Sequence, residues 1–131
     1  MKLTIPFYLH KVGAGFPSPA TDYIEDDLDL NTHLISNAPA TFIIRVQGKS
    51  MRDVGIYDGD LLIVDKSISP KSFSTVIANV SEELVVKTFI KEKEISYLTS
   101  GSKSTIDKIN LGENQEVIIW GVVTYVIHKL Q

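Results

Sequence analysis

At 131 residues the chain is long enough for one domain that buries its own apolar core without covalent staples. Its 44% hydrophobic content excludes a mostly disordered chain; the absence of cysteine excludes disulfides, zinc–thiolate centres and a cysteine nucleophile, and is compatible with the cytoplasm. A formal net charge of −3 offers no basic footprint for direct, sequence-specific DNA binding, so a protein partner is the better expectation.

The first 21 residues hold three of the five prolines, Pro6, Pro17 and Pro19, and the stretch GAGFPSPAT suits neither a helix nor a central strand. An extended, mobile arm is expected here, and Pro6, His10 and Lys11 interrupt any apolar core of a signal peptide. In DYIEDDLDLNTHLIS, the spacing of Leu30, Leu34 and Ile35 predicts a short helix near 29–36. Asp29 or Asn31 serves as its N-cap, and Asn37-Ala-Pro39 closes it. From residue 41 strands dominate: 41–47, 60–66, 75–80, 83–91, 94–99 and a C-terminal run from Val117. That pattern predicts a mainly β fold of antiparallel sheets, barrel-like or sandwich-like. The longest apolar run, VIIWGVVTYVI at 117–127, falls short of the roughly 20 residues of a membrane helix and reads as a buried strand or a homodimer interface. The expected organisation is a flexible arm over 1–28 followed by a compact body over 29–131.

Familiar catalytic signatures are absent: no GxSxG elbow, P-loop, GxGxxG or HExxH. His10, His33 and His128 lack metal-ligand spacing, so neither a metal nor another cofactor is expected. Two residues stand out. Lys87 interrupts the apolar strand LVVKTFI, where alternation puts Val85, Lys87 and Phe89 on one face and Leu84, Val86, Thr88 and Ile90 on the other. On a buried face a lysine loses hydration, which favours the neutral amine, a general base able to activate a serine. On an edge strand the same lysine is a solvated guard against aggregation. Ser50, after Gly48-Lys49 at a strand exit, reads either as a turn residue or as a nucleophile. A Ser-Lys hydrolase needs both residues.

GKSM at 48–51, IYDGDLLIVD at 56–65 and VVKTF at 85–89 resemble the peptidase domain of the LexA/UmuD self-cleaving serine peptidase family. GFPSPATDYIEDDLDLN at 15–31 and WGVVTYVIHKL at 120–130 extend the resemblance over essentially the whole chain. It implies a LexA/UmuD-type fold in which Ser50 is the nucleophile and Lys87 its general base. Self-cleavage is implied at Ala14-Gly15, with backbone N–H groups near Ser50 and Met51 stabilising the oxyanion. Small residues flanking that bond suit close approach by Ser50, although Gly13–Gly15 also reads as a simple hinge. The resemblance further implies a bacterial, cytoplasmic SOS-response protein and a homodimer. Cleavage is implied to be stimulated by a RecA–single-stranded DNA filament, and the trimmed product to serve a UmuC-like Y-family polymerase subunit in error-prone translesion synthesis. Only 14 residues precede Gly15, too few for the DNA-reading module of a repressor. Lys49 departs from the acidic residue often found there in such chains. The competing expectation is a non-catalytic dimeric interaction module that regulates a polymerase or a repressor.

Overall fold

Runs of β-branched residues bounded by glycine, serine and aspartate punctuate the chain from residue 41, and each becomes a strand in the computed structural model. It describes residues 3–8, 24–101, 108–112 and 117–131. Contacts divide the chain into two units, Met1–Ser36 and Asn37–Gln131.

In the first unit, β1 (Thr4–Tyr8) pairs antiparallel with β2 (Ile24–Asp29), from Thr4 opposite Asp29 to Tyr8 opposite Ile24. Pro6 is tolerated because a two-stranded ribbon leaves one edge of each strand free of ladder bonds. The chain then turns into α1 (Leu30–Leu34). Asp29 is its cap: one carboxylate oxygen accepts the Asn31 N–H at 3.1 Å and the other accepts the Thr32 hydroxyl at 3.1 Å. The helix is shorter than the 29–36 expected, because Ile35 already has extended backbone. Pairing of 4–8 with 24–29 went unforeseen; the acidic composition of IEDDLD hides it.

The second unit is one seven-stranded antiparallel sheet. Its strands are β3 (Thr41–Arg45), β4 (Leu61–Asp65), β5 (Thr75–Val80), β6 (Glu83–Glu92), β7 (Ile95–Thr99), β8 (Ile109–Asn110) and β9 (Val117–Ile127). Their spatial order is β3-β4-β9-β5-β6-β7-β8. Every strand expected from sequence is present, with β8 in addition. Two apolar clusters hold the sheet. Val46, Met51, Ile56, Leu62, Val64 and Ile77 form one, with Val86 packed against it. Val76, Ala78, Phe89, Leu98 and Val122 form the other, joined by Val85. Strand β6 therefore sends alternate residues to different clusters, as the period-2 reading requires.

The C-terminal strand β9 lies between β4 and β5 and shifts register against each, between Ile63 and Val64 and between Ile77 and Ala78. Gly121 lies between the shifts. A Cβ there would stand 2.7 Å from Val64 Cγ1 and 3.1 Å from the Asp65 carbonyl oxygen. The close approach of β9 to β4 needs a residue without a side chain. No helix among the described residues is long and apolar enough to cross a membrane.

Candidate active site

The segment 46–60 leaves β3 and returns as β4, and its ends are bonded together. Val46 N–H donates to the Asp60 carbonyl and Gly59 N–H to the Val46 carbonyl, both at 2.8 Å. Gly48 adopts φ +109° and donates its N–H to Asp58 Oδ1 at 2.8 Å. That turn places Ser50 on the exposed crest of the loop, while the next side chain, Met51, is driven inward to 3% exposure. A single 3₁₀ turn, Arg52–Val54, follows and ends on Gly55 in the left-handed region at φ +86°. The Met51 carbonyl accepts the N–H groups of Val54 and Ile56, each at 3.2 Å. With Met51 and Ile56 both in the core, the backbone under Ser50 is anchored from below.

Asp60 fastens the base of the loop. Its carboxylate is 2% exposed; it accepts the Tyr57 N–H at 2.8 Å and meets His128 Nδ1 at 2.6 Å. The Tyr57 amide first, and His128 second, hold the Asp60 carboxyl below its ordinary range, against the opposing effect of burial. The His128 ring also lies 5.4 Å from that of Tyr57.

Lys87 approaches from β6, where it stands opposite Val76 of β5. It is partly buried, and its Nζ donates to Ser100 Oγ at 2.9 Å. Ser50, Met51 and Lys87 line one cavity of about 450 Å³, whose walls include Ile44 and Val46 from the β3 side and Ile77 and Val86 from the sheet. The two residues that sequence singled out, one on the loop after β3 and one on β6, thus share one cleft. Lys49 is exposed, and its carbonyl accepts the Arg52 N–H at 3.4 Å. Ala14 and Gly15 lie outside the described residues. His33 sits on α1, and among the described residues no three His, Asp or Glu side chains come together as a metal site would require.

Sequence reasoning missed Ser100 and the Asp60–His128 pair. One of several serines in TSGSKS, Ser100 is distinguished only once Thr99 of β7 is set opposite Thr88 of β6. Asp60 and His128 are separated by nearly the whole sheet in sequence, and no local pattern joins them.

Residues 6–124 match the family model described as Peptidase S24-like. Protein ImpA of Escherichia coli is 42% identical over 124 residues, covering 95% of this chain and 83% of that protein. Protein MucA of Escherichia coli is 38% identical over 122 residues, covering 93% and 83%. The LexA repressor of Colwellia psychrerythraea is 35% identical over 120 residues, covering 91% of this chain and 56% of the repressor. The chain belongs to the Peptidase S24-like family, the group of self-cleaving serine peptidases to which its GKSM and VVKTF motifs pointed.

Proposed function

We propose that this chain is a UmuD-like protein of the bacterial SOS response that cuts its own Ala14-Gly15 bond with Ser50 as nucleophile and Lys87 as general base. The observation that carries the reading is the shared cleft, lined by both side chains. In the reaction, the neutral Lys87 amine takes the proton from Ser50 Oγ, which attacks the Ala14 carbonyl carbon. Backbone N–H groups at Ser50 and Met51 stabilise the oxyanion. Collapse breaks the C–N bond, and the Lys87 ammonium returns its proton to the departing Gly15 amine. Water, deprotonated by the same lysine, then releases Ala14 from the ester. Because the enzyme is its own substrate, within one chain or across a homodimer, each site reacts once.

An arm that must first enter the cleft makes cleavage dependent on whatever orders it. We assign that part to a RecA–single-stranded DNA filament in the cytoplasm, and the trimmed product, residues 15–131, to a UmuC-like Y-family polymerase subunit. Incubation of the full chain with RecA, ATP and single-stranded DNA tests the reading. A shorter product beginning at Gly15 by mass spectrometry is expected, and none from Ser50→Ala or Lys87→Ala. Cleavage by either variant overturns the dyad, and a different new N-terminus overturns the bond assignment. A wild-type chain that stays full length is instead an interaction module.

A further inference from the structure

The dipeptide Ser100–Gly101 touches both halves of the cleft. Ser100 Oγ accepts a hydrogen bond from Lys87 Nζ at 2.9 Å. One residue on, Gly101 N–H points at Met51 Sδ at 3.1 Å, and Met51 directly follows the proposed nucleophile. The two contacts are made by different atoms, one to a residue of β6 and one to a residue of the serine loop, yet they come from adjacent positions at the exit of β7. Gly101 adopts φ +69°, the left-handed conformation that turns the chain there so that both contacts form together.

We propose that Ser100 is a positioning residue for self-cleavage, holding the Lys87 amine in the orientation that proton abstraction from Ser50 requires; this rests on the dyad reading above. Lysine ends in a four-carbon stem with free rotation about each bond, so its nitrogen needs an external restraint to stay in one place. A neutral amine has two N–H groups and one lone pair in a tetrahedral arrangement. When one N–H is given to Ser100 Oγ, the lone pair is directed away from Ser100, and the cleft shared with Ser50 is where it is needed. The hydroxyl oxygen has a second lone pair and its own proton, so it also tolerates the ammonium formed after proton transfer. Ser100 thereby serves both protonation states without moving. The Gly101–Met51 contact fixes the distance between this restraint and the serine loop.

The test follows self-cleavage of the full chain, with RecA, ATP and single-stranded DNA, in wild type, Ser100→Ala, Ser100→Thr and Lys87→Ala, with thermal unfolding measured for each. Misplacing a catalytic group by about 1 Å costs on the order of 100-fold, so Ser100→Ala is expected to cleave about 10- to 100-fold more slowly at an unchanged unfolding temperature. Ser100→Thr keeps the hydroxyl and is expected to restore most of the rate. Wild-type rate in Ser100→Ala overturns the proposal, as does an equal loss in Ser100→Thr, because the hydroxyl would then not be the operative group. Cleavage by Lys87→Ala is a separate result: it removes the dyad itself rather than its restraint.

Discussion

Gly121 is the position at which a single added methyl is expected to be felt most. It does not occupy the left-handed region, so alanine meets no backbone obstacle, and the lower entropy of the unfolded alanine chain contributes about 0.4–1 kcal/mol in its favour. Against this, the new Cβ would sit 2.7 Å from Val64 Cγ1 and 3.1 Å from the Asp65 carbonyl oxygen. Val64 is fully buried in the cluster under the serine loop and has no solvent to move into. Forcing a methyl into a packed site costs about 1–3 kcal/mol. The net expectation for Gly121→Ala is a loss of about 1–2 kcal/mol, or roughly 4–8 °C in unfolding temperature for a chain of this size. Urea denaturation followed by tryptophan fluorescence measures it, since Trp120 is the neighbouring residue and the chain's one tryptophan. In a double-mutant cycle with Val64→Ala, the pair should lose about 1 kcal/mol less than the sum of the singles, because removing the valine methyls clears the nearest clash. A Gly121→Ala protein as stable as wild type, or strict additivity in the cycle, would refute the packing argument.

Acid should weaken the fold partly through Asp60. Its carboxyl titrates below the ordinary value of 3.8, so its stabilisation is fully present above that value and is lost as pH falls through the lower folded-state value. Asp60→Asn is accordingly expected to flatten the fall in stability as the pH drops below 3.8; a fall as steep as in wild type would show that Asp60 is not responsible. Thr88 should respond in the opposite sense to most core substitutions. Its Oγ1 is buried with no hydrogen-bond partner among the described residues, and such an atom costs about 1–3 kcal/mol. Thr88→Val keeps the shape and should raise stability by about 1 kcal/mol, so a lower denaturation midpoint would contradict the assignment of an unsatisfied hydroxyl.

The strands were legible because β-branched runs such as TFIIR, LLIVD and VIIWGVVTYVI are bounded by residues that favour turns. What escaped notice had the wrong local signature. Ile109–Asn110 is too short to produce an alternation, and β1 and β2 combine a proline with four acidic residues. The hairpin joining β5 to β6 turns on Ser81 and Glu82, with φ +50° and +71°, where Asn-Gly would be the usual choice. The period of two sorted Val85 and Val86 of β6 correctly between the clusters. Local pattern alone left Ser50 and Lys87 ambiguous, and only their combination with the surrounding motifs singled them out. Ser100 and the Asp60–His128 pair depend on strand register and on the order of strands in the sheet, which no window of adjacent residues contains.

That strand order bears on when the chain becomes competent to cut itself. β4, which anchors the serine loop, and β5, which pairs with the lysine strand, are not neighbours; β9 lies between them and bonds to both. Ser50 and Lys87 therefore belong to two halves of a sheet that the C-terminal strand joins. His128, one residue beyond β9, also closes on Asp60 at the base of the serine loop. The cleft lined by Ser50 and Lys87 thus depends on residues 117–128, which are synthesised after both. A nascent chain still lacking them carries its arm, its serine and its lysine, yet has no sheet to set the two side chains against each other. We expect ribosome-bound chains that end before residue 117 to remain uncut under conditions that convert the released protein. Cleavage product on such stalled chains would show that the two halves meet without β9.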